Sequence, residues 1–160
     1  MKYLVRDKIF AIGDDYWIED ENGRHAFLVD GKALRLRDTL ELKDPAGRVL
    51  VTLRAKVLSL RGAMTVERDG GTLATVRRKR LSLLRNHYRV ELAEGPELDV
   101  SGRILDREFT IGRDGEPLAR ITRAWLRVRD TYAVDVVRDD TDAALLIAVA
   151  VCVIRMADKD

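Results

Sequence analysis

Two histidines, one cysteine and a run of four consecutive cations are the residues of this chain with which chemistry could be done. His25 and His87 stand in alternating, strand-like patterns with no Cys or Glu at metal-ligand spacing. They therefore read as edge or surface histidines, and no metal site is expected. Cys152 lies inside an apolar run. There a thiol packs as a small apolar group, whereas a reactive one needs exposure and a neighbour that stabilises the thiolate. The sequence has no G-x-G-x-x-G, G-x-x-x-x-G-K-[ST], G-x-S-x-G or H-E-x-x-H. Its paired carboxylates stand mostly beside turns and helix caps, where Asp is explained by hydrogen bonds to backbone amides. No catalytic residues and no cofactor are expected, and the chain reads as a non-enzyme.

The four cations are RRKR, Arg77, Arg78, Lys79 and Arg80, followed by Arg85 and preceded in a neighbouring unit by Arg54, Lys56 and Arg61. A basic patch at a strand end would attract anionic phospholipid headgroups, at ~1 kcal/mol per charge close to a negative surface. The plainer account takes precedence: alternating Arg and Lys form the solvent face of β-strands, where they protect edges and keep the protein soluble. In a regular strand Arg77 and Lys79 share one face and Arg78 and Arg80 the other. A second cluster, Asp135, Asp139, Asp140 and Asp142, precedes the apolar run. It lacks the central Gly and terminal Glu of a calcium-binding loop, and Arg138 opposes a cation, so helix capping is the preferred role.

The elements that hold these residues follow from charge and patterning. With 29 Lys+Arg against 27 Asp+Glu, the formal charge of +2 makes the whole chain no electrostatic magnet for nucleic acid, and any anion site must be local. A single cysteine excludes an intrachain disulfide and suits a reducing compartment, so the cytoplasm is expected. The start, MKYLVRDKIFAIGDD, breaks its apolar residues with Arg6, Asp7 and Lys8 and reads as no signal peptide. The run AALLIAVAVCVI, residues 143–154, meets Arg155 after twelve apolar residues, well short of the ~20 a membrane span needs. Apolar on every face, it suits a helix surrounded by protein, expected over about 141–157. Its β-branched residues leave a strand as the alternative.

What surrounds that helix is legible in a pattern that recurs four times. WIEDENGRHAFLV, LELKDPAGRVLVTL, MTVERDGGTLATV and FTIGRDGEPLARI each alternate apolar and polar residues into an Asp-containing turn with Gly, then alternate again. Each is an expected hairpin. Two copies extend in register, with Tyr88 matching Tyr132 after a one-residue gap, which suggests a duplicated sheet unit. Further strands at residues 3–5, 33–37, 87–92, 104–105 with their neighbours, and 132–137 bring the count to about a dozen. So many antiparallel strands close to remove their edges, and the resulting lumen is too wide for side chains alone to fill. The expected fold is mainly β: a single domain over 1–160, about twelve strands closed into an antiparallel barrel around the hydrophobic C-terminal helix.

The succession YWIEDENGRHAFLVDGK, LELKDPAGRVL and LSLRGAMTVERDGGTLATVRRK, ending in an all-apolar helix, resembles the LURP-one-related family. That family is similar in architecture to the tubby C-terminal domain and the phospholipid scramblases. The resemblance spans nearly the whole chain and implies a twelve-stranded barrel around a central helix. It brings no catalytic motif, and no lipid-binding residue of the tubby-like domains can be matched by position. The functional expectation is a non-enzymatic, cytoplasmic barrel that binds anionic phospholipid or a protein partner at a membrane surface without an integral span. The candidate lipid contacts are Arg77, Arg78, Lys79, Arg80 and Arg85. A scramblase-like, membrane-active protein is the alternative, and a lipocalin-like carrier is disfavoured because the helix occupies the lumen.

Overall fold

The computed structural model describes residues 1–6, 16–30, 39–55, 62–79, 85–103, 108–123, 131–138 and 140–158. Twelve strands occupy them: β1 (Lys2–Arg6), β2 (Tyr16–Asp20), β3 (His25–Asp30), β4 (Thr39–Lys43), β5 (Val49–Ala55), β6 (Ala63–Arg68), β7 (Gly71–Lys79), β8 (Arg85–Leu92), β9 (Leu98–Arg103), β10 (Glu108–Arg113), β11 (Glu116–Thr122) and β12 (Thr131–Val136). One helix, α1 (Ala143–Asp158), follows. Every strand pairs antiparallel with the next, and β12 pairs with β1, so the sheet closes and leaves no edge.

Turn chemistry accounts for the four hairpins read from the sequence. In β6–β7 and β10–β11 the two-residue loops Asp69-Gly70 and Asp114-Gly115 put both residues at positive φ, 52° and 80° in the first and 51° and 82° in the second. This is the mirror-image turn whose twist matches the flanking strands, and Asp-Gly is among the pairs that adopt it most readily. In β2–β3 and β4–β5 an Asp closes a longer turn with its own carboxylate. Asp20 Oδ1 accepts from the amides of Asn22 (2.8 Å) and Arg24 (3.0 Å), and Asp44 Oδ1 from that of Arg48 (2.9 Å). All four hairpins carry a register shift beside the turn, at Ile18/Glu19, Leu42/Lys43, Val66/Glu67 and Ile111/Gly112. Such bulges increase local twist and bend, which helps a sheet to close.

The tight turns gather at one end of the barrel, where α1 also begins; at the other end the strands are joined by segments outside the described residues. Alternation then sorts the side chains. Val51, Leu53, Ala74, Val76, Tyr88 and Val90 join the core together with residues 146–154 of the helix. Helix residues 147–150, 152 and 153 have no exposed surface at all, so protein covers every face of α1. At 1.5 Å per residue its 16 residues extend about 24 Å through the lumen. The matched tyrosines of the internal repeat are both core residues, Tyr88 at 0% and Tyr132 at 1% exposure.

The structure adjusts some expected boundaries. The helix begins at Ala143, not 141, because the Asp142 carboxylate caps it by accepting from Leu145 N at 3.1 Å. A strand not named from the sequence runs over Leu98–Arg103, where Leu98 and Val100 face the core and Asp99 and Ser101 are exposed. Residues 104–105 and the expected strand at 33–37 fall outside the described residues. Within β9, Gly102 is compulsory: a Cβ there would run into the carbonyl of Glu108 and the ring of Phe109. Phe109 stands opposite Gly102 in the ladder and meets Tyr88 edge-on at 6.2 Å.

Candidate functional site

β7 splits the cation run by parity. Arg77 and Lys79 lie on the outer wall, with the Arg77 side chain 46% exposed, while Arg78 takes the parity of core residues Ala74 and Val76 and stands opposite buried Tyr88. Arg80 lies outside the described residues, as do Lys56 and Arg61. Arg85 opens β8. Arg54 is on β5, ion-paired with Glu67 at 3.0 Å, and β6 separates it from β7.

Strand pairing extends the cluster beyond what the linear sequence indicated. In the β7–β8 ladder Arg77 is directly opposite Arg89 and Lys79 opposite His87, and in β8–β9 Arg85 is opposite Arg103. Arg77, Lys79, Arg89 and Arg103 thus share one wall across three strands, toward the end of the barrel away from the tight turns, where β8 begins with Arg85. Like charges directly opposite in a ladder are destabilising, and here two such arginine pairs occur in neighbouring ladders, with the row of Lys79, His87 and Ser101 between them. Carboxylates offset part of that repulsion: Arg77 Nε is 3.3 Å from Glu91, Arg89 Nε 3.2 Å from Glu97, and His87 Nε2 3.5 Å from Asp99. These are solvated pairs, worth about 0–1 kcal/mol each, so an incoming anion can compete for the arginines. Asp99 stands directly opposite Arg89 and Glu108 opposite Arg103, so among the described residues these five cations have four carboxylates beside them, Glu91, Glu97, Asp99 and Glu108. Arg89, His87 and Arg103 were not singled out in the sequence as site residues; the signal that joins them to Arg77 and Lys79 is cross-strand register, which a single sequence does not carry.

The acidic segment before the helix has a structural role. Arg138 holds Asp140 at 2.9 Å and Glu116 at 3.2 Å, and the Thr141 hydroxyl donates to Arg138 O at 2.7 Å. Asp142 caps α1 with one oxygen and accepts from Arg68 Nη1 at 2.7 Å with the other. Asp135 is on β12 beside the chain's amino terminus, 3.9 Å away, and Asp139 lies outside the described residues. Cys152 is fully buried, and that burial pushes its thiol far above the ordinary range. His25 stacks on Trp17, ring centroids 4.3 Å apart.

These features define a closed antiparallel barrel filled by its own C-terminal helix. The family model for LURP-one-related proteins matches residues 1–154, and the chain belongs to that family. Among solved structures it is similar to an X-ray structure of a protein from Arabidopsis thaliana, at 22% identity and a TM-score of 0.66, covering 99% of this chain and 89% of that one. That likeness shows the fold. No curated protein matches the chain.

Proposed function

We propose that this protein is a non-enzymatic barrel domain that docks on anionic phospholipid surfaces through the outer wall of β7, β8 and β9. One observation carries the reading: register brings Arg77, Lys79, Arg85, Arg89 and Arg103 into a single patch, with arginine opposite arginine in adjacent ladders. A barrel wall needs only scattered charge to stay soluble, so a concentration of cations that works against strand pairing favours a role in binding. A negatively charged membrane supplies the counter-charge, at ~1 kcal/mol for each cation that comes close, within a Debye length of about 8 Å at physiological salt. The helix that fills the lumen favours surface docking over carriage of a ligand inside.

Co-sedimentation with vesicles tests this. The wild-type protein should pellet with phosphatidylserine-containing vesicles, remain in solution with phosphatidylcholine alone, and lose binding as salt rises. Replacing Arg77, Lys79 and Arg89 together by Ser should cut binding to the anionic vesicles at least tenfold while the melting temperature stays nearly unchanged. Equal pelleting of the variant and the wild type would exclude the patch as the docking face.

A further inference from the structure

Across the outer wall of β7, β8 and β9 the register sets paired residues in three rows. Arg77, Arg89 and Asp99 form the first, Lys79, His87 and Ser101 the second, and Arg85 and Arg103 the third. His87 therefore stands at the centre of the basic wall. Its side chain is 24% exposed, and its Nε2 lies 3.5 Å from Asp99 Oδ1. On β7 it is directly opposite Lys79, with Arg77 on the diagonal. On β8 itself Arg85 and Arg89 occupy the positions two residues to either side, and on β9 it is directly opposite Ser101, with Asp99 and Arg103 on the diagonals. The other histidine is remote from this wall, because His25 opens β3 beside a tight turn and stacks on Trp17.

The charge of the wall is closely balanced. Arg77, Lys79, Arg85, Arg89 and Arg103 have four carboxylates beside them, Glu91, Glu97, Asp99 and Glu108, which leaves a formal surplus of one cation. Guanidinium, ammonium and carboxylate groups ordinarily keep their charges between about pH 5.5 and 8. Imidazole is the side chain that ordinarily titrates in that interval. One proton on His87 therefore doubles the formal surplus, whichever neighbour the charged ring pairs with. The charged ring also draws on Asp99, the carboxylate that stands opposite Arg89, and so leaves that arginine more open to an incoming anion.

Granting the docking proposed above, on which this rests, we infer that His87 makes it pH-dependent: binding to an anionic phospholipid surface takes up a proton at the imidazole and strengthens as pH falls through the histidine range. The linkage is reciprocal. A negative surface favours the charged ring by the same free energy with which the charged ring favours the surface. Above the range the ring is neutral and docking is weaker; below it the ring is charged and docking is firmer.

Vesicle co-sedimentation at about pH 7.5 and about pH 5.5 tests this, with phosphatidylglycerol as the anionic lipid because its phosphodiester keeps its charge across the interval. The quantity read is the ratio of apparent affinities at the two pH values and fixed salt, with circular dichroism checking that the fold is the same at both. In the wild type, binding should be about fivefold tighter at the lower pH, one charge at ~1 kcal/mol. His87→Gln should bring the two affinities together, and His25→Gln should keep the wild-type ratio. His87→Lys carries the charge at both pH values, so its affinities should also coincide, with binding at the higher pH raised toward that of the wild type at the lower one. Wild-type binding that is equal at both pH values, or a ratio as large in His87→Gln as in the wild type, would overturn the inference and leave the docking standing. Absence of pelleting at either pH would contradict the docking itself, and this regulation with it.

Discussion

Asp142 shows how much one side chain can organise. Partial burial pushes its carboxyl up, but hydrogen bonds from Arg68 and Leu145 N, with the attraction of Arg68, outweigh that and hold it below the ordinary carboxylate range. A depressed folded-state value means that the group stabilises the fold above its unfolded value, and that the contribution is lost as pH falls through the folded one. Asp142→Ala should cost about 1 kcal/mol as a lost cap, plus a few tenths for the exposed pair. In urea denaturation the gap between variant and wild type should be full at neutral pH and close progressively below pH 4. A gap that is constant with pH would remove the charge from the account. Gly102→Ala is a second case at this scale. Its Cβ has no room beside Glu108 and Phe109, so the strands must shift, at a cost of at least about 1–3 kcal/mol. Cys152 has no exposed surface and a suppressed thiolate, so it should resist a thiol reagent in the native protein and react fully in denaturant. Rapid labelling of native protein would contradict its burial.

Among the elements, the helix is the one on which the barrel depends. Ala148 is wholly buried in the middle of α1, and Ala148→Asp would leave an unpaired carboxylate inside the barrel. That penalty is several kcal/mol against a total stability of about 5–15 kcal/mol, so the variant should fail to fold, as read by circular dichroism. The helix was legible in the sequence because twelve consecutive apolar residues admit so few environments. The four hairpins were legible because Asp-Gly and Asp-x-x-Gly turns announce themselves. β9 was not legible because LDVSGR contains Asp99 and Gly102, poor strand formers that are held here by pairing to β8 and β10. The alternation within RRKR was readable, and β7 places Arg77 and Lys79 apart from Arg78 as that period requires. The extension of the patch to Arg89 and Arg103 was not readable, because register is a property of two strands and not of one. If the outer wall binds vesicles, Arg77→Ser/Lys79→Ser should lose about 1–2 kcal/mol of attraction, and Arg78→Ser distinctly less.

Across the whole molecule, the described residues place the tight turns and the basic patch toward opposite ends of the barrel. Turns carrying Asp20, Asp44, Asp69, Glu94 and Asp114, together with Arg24, Arg48, Arg68 and Arg113, share the end at which α1 begins, and the basic patch of β7–β9 lies toward the end at which α1 finishes. A helix favours negative charge at its start and positive charge at its finish, and α1 has the Asp142 carboxylate at its start and Arg155 in its last turn. On the proposed docking, the β7–β9 wall is the face that turns toward a negative surface, with the tight turns away from it. The most direct measurement of that claim is an amide NMR spectrum of the protein with phosphatidylserine vesicles that contain a paramagnetic lipid. The account predicts selective broadening at Arg77, Lys79, His87, Arg89 and Arg103, with Gly23, Gly47, Gly70 and Gly115 left sharp. Broadening centred on those turn glycines, or none anywhere while the protein pellets with the vesicles, would contradict it.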